Sequence, residues 1–184
     1  MRTTDTTTGP TTPTSPRHSH EIAAAVTLPS AARALVAPGP LTTAGGIALT
    51  TACGALSTRV ALLGFLADPD ADDPIGISGH DPFTDPMPSA LLGSGPEPDR
   101  DRVRRGGDRC VDAWRQWSGE RDSGQSVVGV GGALGLGAWC AWALGAELRA
   151  ETRARYALDL RADDPLAQLV LRGCTLGIRA AWRG

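Results

Sequence analysis

Hydrophobic positions in this chain recur at helical spacing, and no sustained run alternates apolar with polar residues as a half-buried strand would. The clearest pattern lies between Val127 and Trp182. It opens with the apolar, glycine-laced VVGVGGALGLGAWCAWALG, passes into the charged amphipathic ELRAETRARYALDLRA, breaks at Asp164-Pro165 and continues as LAQLVLRG. Two or three helices folded against one another are predicted, with Leu144-Gly145 as the turn between the first two. Glu151 with Arg155 and Arg155 with Asp159 are i,i+4 pairs, each worth about 0.2–0.5 kcal/mol. Ala150, Ala154, Ala157, Leu158 and Arg161 form a stripe through which the second helix can sit close to a neighbour. Asp164 suits an N-cap and Pro165 a first helical position. Leu166, Leu169 and Val170 then give an i,i+3,i+4 face, which Gly173 or Gly177 can end.

Upstream the pattern is weaker. Residues 1–20 are rich in threonine, proline and serine with almost nothing to bury, which predicts a disordered tail. They lack the apolar core of a secretory signal. Ser30 can cap a short helix over AARALVA, ended by Pro38-Gly39-Pro40. Leu41 to Ala67 holds a single charge, Arg59. Threonine and glycine weaken its helical character, which is firmest around Val60, Leu62, Leu63, Phe65 and Leu66. Asp68 to Asp99 carries prolines too densely for a long helix and predicts a long loop, with room for a short helix at Ser89–Leu92. From Asp101 to Trp117 helical spacing returns through Val103, Cys110, Val111, Trp114 and Trp117. Gly106-Gly107 is a soft point there, costing about 1 kcal/mol per glycine. The fold class is therefore mainly α, a small helical bundle over residues 21–184 behind a disordered tail.

Composition removes chemistry more than it adds any. The 184 residues carry a net charge of −2, which argues against general binding to nucleic acid or anionic membrane. Every basic residue is arginine, and neither lysine nor asparagine occurs. Schiff-base catalysis, a phosphate-binding lysine and N-glycosylation are thereby excluded. Cys53, Cys110, Cys140 and Cys174 are widely spaced with no C-x-x-C pair, so they are expected as reduced core residues of a cytoplasmic protein.

Three stretches imitate functional motifs. Asp68-x-Asp70-x-Asp72 looks like the opening of a calcium loop, but Asp73 and Gly79 stand where the loop needs glycine and a bidentate glutamate. Gly129 to Gly137 resembles a dinucleotide loop with Leu134 in place of its last glycine, and close helix packing explains these glycines better. Ser123 to Ala146 carries no charge and could span a bilayer, although its small residues make it marginally hydrophobic; a buried core helix is expected, with a membrane anchor as the alternative. His18 and His20 lie in the tail, too few ligands for a metal site.

The pattern AWCAWALG…ARYALDLRADDPLAQLV…GI..AW is similar to the C-terminal half of an uncharacterised actinobacterial family, domain of unknown function 4192. The features concerned are Trp142 and Gly145, Ala154 to Leu160, Asp164-Pro165, Leu166 to Leu169, and Gly177-Ile178 with Trp182. The helix pair also looks like a degenerate tetratricopeptide unit. The resemblance implies an actinobacterial, helical, cytoplasmic protein and brings no functional residue with it.

The function expected on these grounds is a non-enzymatic helical interaction module that binds a protein, a peptide or a second copy of itself. Trp114, Trp117 and Trp142 are its candidate partner-binding residues. No catalytic residue, cofactor or metal ligand is assigned. The rival is a carboxylate-dependent hydrolase, which needs the acidic residues between Asp68 and Asp85 to converge with His80 on an ordered pocket. The interaction reading expects that loop to be mobile and a tryptophan-lined groove to lie elsewhere.

Overall fold

The axis of the molecule is the glycine-laced helix α5, Val127–Ala143, buried at every position from Gly129 to Ala143. In the computed structural model, which describes residues 16–71, 73–119 and 126–183, six other helices surround it. They are α1 (Pro16–Val36), α2 (Thr43–Ala52), α3 (Leu56–Ala67), α4 (Arg100–Gly119), α6 (Glu147–Leu160) and α7 (Pro165–Thr175), and no strand occurs among the described residues. The most extensive contacts of α5 are with α4 and α6, which run antiparallel to it, and α7 packs on it in parallel.

Glycine is a poor helix former, costing about 1 kcal/mol relative to alanine, yet α5 contains five. Each opens a notch for a neighbouring element, and together they admit four. Gly129 and Gly132 face the backbone carbonyl oxygens of Thr50 and Cys53 at the end of α2, Gly131 faces Ala157 and Leu160 of α6, Gly135 faces Asp164 and Ala167, and Gly137 faces Cys110 of α4. A Cβ at Gly137 would stand 2.9 Å from that of Cys110, closer than real Cβ atoms come. Close packing through small residues is thus the use of the glycine run. The soft point in α4 has the same explanation: a Cβ at Gly106 would lie 2.8 Å from Leu66 Cδ2, and one at Gly107 2.8 Å from Cys140 Cβ.

A charged pair closes the core. Arg59, the lone charge of its apolar stretch, is buried on α3 and donates through Nη1 to Asp164, itself buried. Asp164 also caps α7 as its sequence predicts, its Oδ1 accepting from Ala167 N at 3.0 Å. One carboxylate therefore starts α7 and ties it to α3. Removing either partner of such a pair leaves an uncompensated buried charge.

Several expectations need correction. α1 begins at Pro16, so residues 16–20 belong to a helix rather than to the tail; the remainder of the predicted tail lies outside the described residues. α1 also runs through Pro29, which places Ser30 inside the helix and not at its cap. Burial of Ala24, Leu28, Ala31, Ala32 and Leu35 along one face outweighs the missing hydrogen bond. Arg161 lies just past α6 and pairs with Asp163 at 2.8 Å, while Ala150, Ala154 and Ala157 alone make the buried stripe. Arg155 gives two hydrogen bonds to Glu151, at 2.6 and 3.2 Å, and none to Asp159. No single described helix is long and apolar enough to cross a membrane; α2 and α3 taken together reach that length and composition, but the chain bends by 116° between them.

Candidate functional site

The C-terminal end of α5 carries Trp139 and Trp142, and two segments hang from its carbonyl and indole groups by three hydrogen bonds. Trp139 Nε1 donates to Ala90 O at 3.2 Å, Trp142 Nε1 to Ile178 O at 2.8 Å, and Trp182 Nε1 to Ala143 O at 3.1 Å. The segment around Ala90 is the 3-10 turn Ser89–Leu92, the short helix expected at SALL. It ends at Gly93, whose φ of +73° and a would-be Cβ 2.6 Å from Ala180 Cα admit only glycine. Gly145, at φ +74°, makes the predicted reversal into α6.

Between this turn, the end of α5 and α7 lies an apolar groove of about 230 Å³. Trp139 and Trp142 form its floor, and Leu91, Leu92, Leu169, Val170, Leu176 and Ile178 line it. Its lips are open to solvent, with Leu92 65% and Leu176 61% exposed. Arg172 is the charged residue of the lining. A second hollow of about 260 Å³ continues past the shared residues Trp142 and Ile178 to Arg179 and Arg183, with Glu147 held by Arg179 at 3.1 Å. An apolar trough thus runs into a basic one.

The three candidate tryptophans do not meet. Trp142 borders the groove, whereas Trp114 sits at the other end of α5, its ring 5.6 Å from that of Tyr156 on α6. Trp117 follows one turn later and is half-buried. Trp139, the groove's other floor residue, was outside the candidate set. Its signal was available, because Trp139 and Trp142 are three residues apart and so share a helix face.

The long loop is tied at several points to the helices beside it. His80 N donates to Ser57 O at 3.1 Å, Arg102 Nη2 to Phe65 O and Ala71 O at 2.8 and 2.6 Å, and Ala181 N to Gly93 O at 2.6 Å. Asp68, Asp73, Ser78, His80 and Asp85 border one open hollow of about 410 Å³ over Val60, Gly64 and Phe65. The convergence that a hydrolase requires is therefore partly present. The His80 side chain is 9% exposed, its Nε2 has no partner, and its Nδ1 lies 3.9 Å from Asp85 Oδ2, beyond hydrogen-bond range. The carboxylates meanwhile accept from loop amides: Asp68 from Asp70, Asp73 from Ile75, Asp85 from Asp81.

No known protein family, curated protein or solved structure matches this chain. Its functional reading therefore rests on its own geometry. Among the described residues, no group of three or more His, Cys, Asp or Glu side chains is arranged to hold a metal ion. Cys53, Cys110 and Cys140 are buried free thiols, and Cys174 is half-buried. Burial pushes the Cys53 and Cys140 thiols up to about 12 and raises Cys110 as well. These thiols are protonated at neutral pH and are not nucleophiles.

Proposed function

We propose that this protein is a non-enzymatic helical interaction module, and that its groove takes an amphipathic segment of a partner protein. The single observation that carries the reading is an apolar groove floored by two tryptophans and left open, with exposed leucines on its lips. Tryptophan is among the residues enriched at binding hot spots, which sit in well-packed, desolvated pockets. Charge defines the occupant further. Arg172 in the groove and Arg179 and Arg183 beyond it call for a segment with apolar residues on one side and aspartate or glutamate next to them. The pairing of α6 with α7 supports the same reading through its likeness to a tetratricopeptide unit, a repeat type that presents grooves to peptides. A cytoplasmic setting and kinship with the uncharacterised actinobacterial family belong to the same proposal.

Peptides selected from a random display library on the full chain test it. The expected sequences carry apolar residues three or four apart with adjacent acids, and bind Leu176→Glu at least about tenfold more weakly than the wild type. Recovered peptides that bind both proteins equally reject the groove. A dimer that dissociates in Leu176→Glu would make a second copy the occupant instead.

A hydrolase is the second reading, favoured by the unpartnered Nε2 of the nearly buried His80 beside three carboxylates. Turnover of an ester or phosphoester panel, lost in His80→Ala at unchanged melting temperature, would establish it.

A further inference from the structure

The geometry points to a binding site for a small multivalent oxyanion of the diphosphate class, in the cleft where four arginines of α4 and α6 face one another across α5. Both helices lie along α5 and hardly touch each other, so a trough runs between them. Trp114 and Tyr156 bridge it at one end. At the other end it widens into a hollow of about 180 Å³ floored by Gly107, Cys140, Ala141 and Leu144. Arg100 and Arg104, one turn apart, line the α4 side, and Arg149 and Arg153, one turn apart, line the α6 side.

Asp108 is the one carboxylate in the lining. It holds Arg153 at 3.1 Å, and Gly137 O accepts from the same guanidinium at 3.1 Å, which fixes this arginine at 17% side-chain exposure. Two further carboxylates stand on the rim. Asp101 meets Arg104 at 2.6 Å but is 79% exposed, and Glu97 reaches Arg100 at 3.5 Å. Exposed pairs of this kind hold their partners weakly. Arg149 has no ion pair among the described residues. Four arginines against three carboxylates leave the hollow net positive, with Arg149 the uncompensated charge, and guanidinium forks match phosphate oxygens two at a time. The volume admits a small anion and excludes a helix. Nothing beneath it attacks the ligand, since the Cys140 thiol on the floor is protonated at neutral pH. The site is one of binding, separate from the apolar groove.

The test is a calorimetric titration of pyrophosphate into the full chain at constant ionic strength, with sodium chloride as the matched control. Saturable binding to one site is expected. Arg149→Ala should weaken it about tenfold, the loss of one charge-assisted contact. Arg155→Ala removes the same charge from the same helix, but from a side chain turned to Glu151, and should leave it unchanged. Both arginines are exposed, so both variants keep the fold. Absence of saturable binding overturns the site. Equal weakening by the two variants also overturns it, because the attraction would then be diffuse.

Discussion

The two halves of α5 solve opposite problems with the same helix. From Gly129 to Gly137 five glycines let α2, α4, α6 and α7 come to backbone contact or close to it. From Ala138 to Ala143 the helix still meets α4 closely at Cys140, but Trp139 and Trp142 stand on another side and hollows open beside them and beside Cys140 and Ala141. The hollows described above lie along the tryptophan half, on two of its sides. Packing density, more than any catalytic motif, thus separates scaffold from candidate site in this molecule. A helix that touches its neighbours through backbone is sealed, whereas one that touches them through a few large rings leaves gaps whose walls can be chosen.

The strongest way to break the sealed half is at its charge. Asp164→Ala removes both the buried partner of Arg59 and the cap of α7, and should destabilise by about 3–5 kcal/mol in urea denaturation. Arg59→Met combined with Asp164→Ser keeps a cap and removes both charges, and should recover most of that loss. A double variant as unstable as the single one would show that the pair itself, and not the unpaired charge, stabilises the fold.

Next in size is the glycine contrast. A Cβ at Gly132 would collide with the Cys53 carbonyl and stand 3.0 Å from Arg59 Cδ, so Gly132→Ala should cost about 1–3 kcal/mol. At Gly131 the nearest atoms lie at 3.5–3.6 Å, an ordinary contact. Gly131→Ala should be neutral or should stabilise by up to about 1 kcal/mol through helix propensity. Equal melting temperatures for the two variants would contradict the account of the sealed half. In the open half, Trp139→Phe loses the hydrogen bond to Ala90 O and should cost about 1 kcal/mol. Its larger effect should be faster amide exchange in Ser89–Leu92, the wall of the groove.

Much of this architecture was legible in the sequence, for reasons tied to particular residues. Asp164-Pro165 announced the start of α7 through capping chemistry, prolines between Asp68 and Asp99 enforced the loop, and unbroken hydropathy marked α5 as core. What was not legible depends on distance. Arg59 alone in an apolar run asks for a buried acid, but nothing local says that the acid lies 105 residues away and already serves as a cap. The passage of α1 through Pro29 is likewise decided by burial on tertiary partners. The groove was half legible. Trp142 was in the candidate set, but only the antiparallel run of α4 along α5 shows that Trp114 lies at the far end.

The smallest effect compares the two halves through their thiols. Cys53 borders the glycine half and Cys140 floors the arginine hollow, and burial, the leading cause for both, pushes each up to about 12 from 9.0. The sign follows from linkage. Folded thiols keep their protons to higher pH than unfolded ones, so the stability they contribute is fully present below pH 9.0 and falls as pH rises from there toward about 12. At half a unit above the unfolded value each thiol should cost only about 0.8 kcal/mol. The slope of melting temperature against pH above 9 should therefore flatten in Cys53→Ala and in Cys140→Ala alike. Reading the slope sets aside any constant cavity cost of the substitution. If Cys53→Ala flattens the slope and Cys140→Ala does not, water reaches the floor of the hollow, and the contrast between the two halves extends into the core itself.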